Sequence, residues 1–251
     1  MLVNYLKESI VLDSKGYIDT EKTVEKLLEN IEKAYDDCRK QDPEHPAQRW
    51  VEGEEIIPFS QGNLKLPPTT YIINLGTAGL CPGRALGTCR CCSICYAKNA
   101  ETRHKTGTIN TRLLQTLRWR KLSAEQIAKQ LLDVSDRASK NKMKYLRINE
   151  SGDVFDQSDI KKMSDIADIL AKHGVGTYTY SSRYDLDWSE KSKNLIVNSS
   201  SSEWLCDNQF IAVDDFTDDM EYRCSGKCDE CDYCKEAEGR TIYVKVHGNG
   251  R

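Results

Sequence analysis

The run Tyr71-Ile72-Ile73-Asn74-Leu75-Gly76-Thr77-Ala78-Gly79-Leu80-Cys81-Pro82-Gly83 decides how the chain is read. Its first five residues make a short apolar strand, and the two glycines that follow loosen the backbone just before a cysteine. A strand that delivers its carboxyl end into a cysteine loop is how α/β folds build sites. The loop is dense: Cys81, Cys89, Cys91, Cys92 and Cys95, five of the eleven cysteines, fall within fifteen residues. A second knot, Cys224, Cys228, Cys231 and Cys234, lies near the C-terminus, leaving only Cys38 and Cys206 outside the two.

Upstream of the strand, Gly62-Asn63-Leu64-Lys65-Leu66-Pro67-Pro68 is a polar connection and Asp42-Pro43-Glu44-His45-Pro46 breaks a helix. That helix runs from Thr20 to about Lys40, with Val24, Leu27, Leu28, Ile31, Ala34 and Tyr35 at helical spacing and Thr20 as its N-cap. Cys38 near its end reads as a packed thiol. Residues 1–18 show only a short apolar patch at Ile10, Val11 and Leu12.

Downstream, Ile109, Leu113, Leu114 and Leu117 form one helical stripe and Ile127, Leu131, Leu132 and Val134 another. Between them, Ser123-Ala124-Glu125-Gln126 has the pattern of a capping box. Lys144–Asn149 reads as a strand, Glu150–Asp153 as a loop, and Ser158–His173 as a helix ended by Gly174 and Gly176. Val175–Tyr180, Leu195–Val197, Phe210–Val213 and Thr241–Val246 are further strands, Trp188–Ser192 a short helix, and Ser199–Ser202 a loop. Strands separated by helical segments imply βαβ units and a mostly parallel sheet. About six such strands make an incomplete barrel or an open sheet. The expected organisation is an N-terminal helical extension over residues 1–60 and an α/β domain over 61–251 that carries both knots.

A chain of 251 residues can bury a core without cysteine staples, so stability alone does not account for the cysteines. No run approaches the roughly 18 apolar residues that span a bilayer, and the N-terminus lacks a long apolar segment, so a soluble protein of the host cytoplasm is expected. In a reducing compartment clustered cysteines favour metal over disulfides, and the odd total of eleven also disfavours full pairing. The net charge of −3 is unevenly spread. Residues 98–121 hold seven cations (Lys98, Arg103, Lys105, Arg112, Arg118, Arg120 and Lys121) against Glu101, whereas residues 207–230 hold eight acids against Arg223 and Lys227.

The second knot decides between metals. Four cysteines overlapping as Cys224-x3-Cys228-x2-Cys231-x2-Cys234 crowd one tetrahedral zinc ion, whereas C-x2-C-x2-C runs suit a cubane iron-sulfur cluster with a further ligand from elsewhere. A 4Fe-4S cluster, one or two per chain, is therefore favoured, with zinc as the alternative. Cys224-x3-Cys228-x2-Cys231 also has the spacing of a radical S-adenosylmethionine cluster, but it precedes the last strand. The loop after the first strand has Lys98 where Cys91-x3-Cys95 would need a third cysteine. Spacing therefore gives S-adenosylmethionine no support as a cofactor.

Four pieces together carry a family resemblance: Gly62-Asn63-Leu64-Lys65-Leu66; Cys81-Pro82-Gly83 with Cys92-x2-Cys95-Tyr96-Ala97; Arg147-x3-Ser151-Gly152-Asp153; and the second knot with a closing Val246-His247-Gly248. In this order, over residues 60–248, the chain resembles the phage gene product 88 family of phages and mobile elements. The resemblance implies a cysteine-rich α/β protein with a radical-SAM-like partial (β/α) barrel, encoded near replication genes. Cys81, Cys92, Cys95, Cys224, Cys228, Cys231 and Cys234 are the expected metal ligands, and Cys89 and Cys91 lie outside the family pattern.

Glu150 and Asp153 fall at the carboxyl end of a central strand, where a barrel presents its chemistry, although a Gly-Asp pair also simply turns a chain. Tyr178, Tyr180 and Arg183 end the next strand and border the same cleft. Glu150, Asp153 and Arg183 are thus the catalytic candidates and Tyr180 the cofactor-contacting one, against the alternative that strand aromatics pack. DNA or RNA would be met through residues 98–121, the cations tracking phosphates and Tyr96 and Trp119 stacking on bases, against the alternative of a solvated helix face. Two functions follow. One is an iron-sulfur redox or radical enzyme acting on a nucleotide or nucleic acid. The other is a nucleic-acid-binding replication accessory protein in which metal is structural.

Overall fold

The computed structural model describes residues 2–41, 43, 57–103, 105–200 and 204–246. Ahead of the sheet come α1 (Leu2–Ser9) and α2 (Thr20–Gln41). Asp19, not Thr20, caps α2: its Oδ1 accepts from Lys22 N at 3.1 Å, because the helix starts one residue earlier than its apolar stripe suggests. Leu27, Ile31, Ala34 and Tyr35 of α2 join the same apolar core as the strands.

Strands β1 (Ser60–Gln61), β2 (Thr70–Ile73), β3 (Tyr145–Ile148), β4 (Gly176–Ser181), β5 (Leu195–Ser199), β6 (Asn208–Val213), β7 (Tyr222–Arg223) and β8 (Thr241–Lys245) form one sheet in the order β1-β2-β3-β4-β5-β6-β8-β7. Only the β1–β2 pair is antiparallel. From β2 to β6 spatial order follows chain order. All six strands expected from sequence are present, and the two-residue β1 and β7 are too short to leave a pattern.

Between β2 and β3 run α3 (Pro82–Ala85), α4 (Tyr96–Arg103), α5 (Lys105–Lys121) and α6 (Ala124–Arg137), and α7 (Gln157–Ala171) joins β3 to β4. Ser123 closes the expected capping box with Gln126: Gln126 N donates to Ser123 Oγ at 3.2 Å, and Ser123 N to Gln126 Oε1 at 2.8 Å. Asp156 caps α7 through Asp159 N at 3.2 Å. The segment from Trp188 to Ser192 is a turn, not a helix. Trp188 is buried with its indole N–H on Arg183 O at 2.8 Å, which ties the segment to β4's end before a helical turn can form. Ser199 closes β5 rather than beginning a loop. Ser201, Ser202, most of the Asp42–Pro46 break, and the His247-Gly248 ending of the family pattern lie outside the described residues.

Side chains alternate across a strand, so the register divides the sheet into two faces. On one face Tyr71, Ile73, Leu146, Ile148, Leu195 and Val197 share a core with Leu113, Leu114, Ile127, Leu131, Ile160, Met163 and Leu170 of the helices. On the other face Ile72, Arg147, Tyr178 and Ile196 lie in line, followed by Tyr180, Asn198, Phe210 and Ile242. Ile72, Tyr178 and Ile242 are buried yet stand outside that core. The 224–236 loop covers this second face.

Candidate metal centre

Cys224, Cys228, Cys231 and Cys234 line a pocket, open to solvent, whose floor is Tyr178, Tyr180 and Ile242 of the sheet. The sequence folds this way because the sheet supplies polar anchors. Asn198 Nδ2 donates to Cys234 O at 2.9 Å and Asn208 Nδ2 to Glu236 O at 2.8 Å. Lys235 Nζ donates to the carbonyls of Cys228 and Cys231 at 2.8 and 3.0 Å while lying 4.6 Å from the centre of the Tyr145 ring. Gly226 makes the turn between the first two cysteines at φ +74°, where a side chain would be strained. Cys228 N reaches Lys65 O at 3.3 Å, which joins the knot to the Gly62–Leu66 connection.

Burial raises the Cys228 thiol and pushes Cys234 up to about 12, with Arg147 acting in the opposite direction on both. Burial likewise holds the Tyr180 hydroxyl well above its usual range, and the neighbouring Cys234 adds to the rise. The Arg147 guanidinium lies 4.7 Å from the centre of the Tyr180 ring and donates to Tyr96 Oη at 3.0 Å.

The first knot sits at the carboxyl ends of β2, β3 and β4. Asn74, one residue past β2, accepts on Oδ1 from Glu150 N at 2.9 Å and Ser151 N at 2.7 Å, tying that end to the loop after β3. Asp153 is buried and accepts from Val154 N, Ser181 Oγ, Ser182 N and Ser182 Oγ at 2.7 to 2.9 Å. Burial raises its carboxyl above the ordinary range despite those bonds. Gly83 packs directly on this network: a Cβ there would lie 2.5 Å from Ser182 Oγ and 3.1 Å from Asp153 Oδ2. The sulfurs of Cys89 and Cys91 are 3.5 Å apart. Cys89 is lowered because the thiols of Cys91 and Cys92 both hydrogen-bond to it, whereas Cys91 and Cys92 are raised by the same contacts. Cys89, which stands outside the expected ligand set, is thus in contact with Cys91 in the first knot. Burial and the neighbouring Asp153 raise Cys81.

Other expected site residues have structural partners. Arg183 is 1 % exposed and spends its guanidinium on Val154 O, Phe155 O and the Asp185 carboxylate, all within the fold. Glu150 accepts from Asn63 Nδ2 at 2.6 Å and lies 3.8 Å from Arg112, while its carbonyl accepts from the Tyr96 hydroxyl. In the basic segment Arg112 is buried against Glu101 at 2.7 Å, and Arg120 pairs with Asp156 and Asp159. Trp119 is fully buried with its N–H on Asp159 Oδ1 at 2.7 Å, so it presents no stacking surface. Tyr96 is 43 % exposed, and Lys98 and Arg103 are exposed along α4. Lys105 and Arg118 stand farther along on α5, with Arg118 half-buried.

The cysteines fit a metal by their donor chemistry. Four soft thiol donors within eleven residues suit iron-sulfur or zinc. Among the described residues no three Cys, His, Asp or Glu side chains already converge on one point, so the fit is one of donor type and pocket. Sequence reading passed over Asn74, Asn198 and Asn208. Each is buried and polar, and each tethers a site loop to a strand; an Asn in or beside an apolar strand was the available signal. The sequence model of a family described as Gene product 88 matches residues 19–237. No curated protein and no solved structure matches.

Proposed function

The chain belongs to the gene product 88 family, and from that premise we propose an iron-sulfur protein of a phage or mobile element: a redox or radical-type enzyme acting on a nucleotide or nucleic acid. The observation that carries this reading is the placement of four thiols over the face of the sheet opposite the helical core, with Tyr178 and Tyr180 beneath them. A sheet whose strands follow one another in order is compatible with the curled, radical-SAM-like partial barrel that the family resemblance implies, with residues 1–60 as its extension.

Cys224, Cys228, Cys231 and Cys234 would hold one cluster, and Cys81, Cys92 and Cys95 are the proposed ligands in the first knot. When bound, such a cluster supplies one-electron transfer. Tyr178, Tyr180 and Ile242 exclude water from the pocket floor, and Lys235 fixes the loop by two carbonyls. Asp153 holds its proton more firmly than an ordinary carboxyl, a property suited to proton transfer at the strand ends. Arg183 acts by holding the 153–155 loop against β4.

With Arg112 and Arg120 already paired inside the chain, the basic segment offers a polymer fewer cations than its composition suggests. That favours the enzyme over the non-enzymatic nucleic-acid-binding alternative. The test is anaerobic purification with iron, sulfide and zinc counted per chain. About four irons with matching sulfide indicate one cubane and about eight indicate two. Zinc without sulfide rejects the reading.

A further inference from the structure

Among the described residues Arg147 is a cation without an ion-pair partner. It stands on β3, on the face covered by the second knot, and its Nε is buried with no hydrogen-bond partner. Among the described residues its one hydrogen bond runs to the neutral Tyr96 hydroxyl, and it forms no ion pair. The nearby Glu150 carboxylate is directed to Asn63 and Arg112 instead. The residue is partly buried, and a guanidinium with an enclosed, unpaired N–H and no counter-charge is favoured by a negative group that completes its surroundings.

The side of Arg147 opposite Tyr96 supplies the candidate. Its guanidinium carbon lies 4.7 Å from the centre of the Tyr180 ring, and Tyr180 lines the same pocket as Cys234. The two cations that line the pocket, Lys227 and Lys235, already pair with Glu230 at 3.5 Å and Asp232 at 2.7 Å. Four thiolates around a divalent ion or a 4Fe-4S core carry net negative charge, and Arg147 is the cation at hand to offset it.

The geometry points to Arg147 as the positioning counter-charge of the C-terminal thiolate centre, held in place from the first knot by Tyr96. This rests on the reading that the second knot binds metal. Residues just outside a metal's ligands commonly change its affinity by about 10- to 100-fold when replaced. Tyr96 directly follows Cys95, so disorder in the first knot would weaken metal binding at the second.

The test uses the full-length reduced apoprotein titrated with Co(II), followed by thiolate-to-cobalt charge-transfer absorption. The component lost in Cys234→Ala identifies the C-terminal knot. Arg147→Gln is expected to weaken that component about tenfold, Arg147→Lys to recover most of the loss, and both to melt within a few degrees of the parent. Equal affinity in the Arg147→Gln and parent chains overturns the inference while leaving the metal reading intact. Absence of any cobalt-thiolate absorption in the parent overturns both. Should Arg147→Gln fail to fold, Tyr96→Phe, which releases the guanidinium without removing it, must weaken the same component. Unchanged affinity in that variant overturns the inference.

Discussion

Asp153 Oδ2 accepts from both the backbone N–H and the hydroxyl of Ser182, at 2.9 and 2.8 Å, so one carboxylate oxygen locks the loop after β3 to the end of β4. Asp153→Asn keeps the shape but turns an N–H₂ toward donors. The expected cost is about 1–3 kcal/mol, the usual penalty for mispaired buried polar groups. The raised carboxyl also fixes a sign: its folded value exceeds its unfolded one, so its contribution is full at acid pH and declines as pH rises through the folded value. Urea unfolding of both chains between pH 3 and 7 should show the parent losing stability relative to the variant as pH rises from the acid end. A gap independent of pH would contradict this.

Trp119 donates to Asp159, which also takes Arg120 Nη2 and Phe155 N. Trp119→Phe should destabilise the fold by about 1–3 kcal/mol through an unmet carboxylate oxygen and lost volume. If the protein binds DNA, its affinity at fixed salt should be unchanged in the variant, since the indole is enclosed. A selective loss of DNA affinity with an unaltered melting temperature would restore the stacking role.

Gly152 and Gly87 both adopt positive φ, +76° and +75°, but only Gly152 is crowded: a Cβ there would lie 2.6 Å from Gly76 N, while Gly87 has open space. Gly87→Ala should cost about 1–2 kcal/mol from left-handed backbone strain alone. Gly152→Ala adds about 1–3 kcal/mol for displacing the Gly76 backbone. Thermal melts of the two variants measure the difference, and equal melts would mean that Gly76 and Gly152 are not in contact.

Cys38 and Cys206 pack against the apolar core and stand apart from both knots. On the proposed metal reading, replacing either with Ala should leave metal per chain unchanged, whereas Cys234→Ala or Cys228→Ala should remove the metal of the second knot. Metal analysis after anaerobic desalting reads both outcomes. Because Cys95 is a proposed ligand and Cys89 only touches Cys91, Cys95→Ala should lower the first knot's metal more than Cys89→Ala.

The strands and long helices were legible because period and capping are local: Ser123 and Gln126 announce α6 three residues apart, and Tyr71–Leu75 is apolar apart from Asn74. The layout of the site was less legible. Nothing near Cys224 indicates that Asn198 and Asn208, on other strands, would hold its loop over the sheet. The internal pairing of the basic segment was illegible for the same reason, since the acids that neutralise Arg120 lie 36 and 39 residues away at Asp156 and Asp159. Asn149, at φ +67°, gave no warning of its left-handed turn beyond being an Asn.

Helices join β2 to β3 and β3 to β4, but β4 to β5 and β5 to β6 are joined by loops. The sheet is thus braced unevenly: β3 and β4 are anchored by α7 and its neighbours, while β6 and β8 are partly exposed and lean on the cysteine loop. Amide exchange should be slowest in β3 and grow faster toward β8, and stripping metal should speed it mainly at that far end. If the second knot holds metal as proposed, its loss in a cell would loosen one edge of a folded protein, leaving a nucleus onto which that edge could close again.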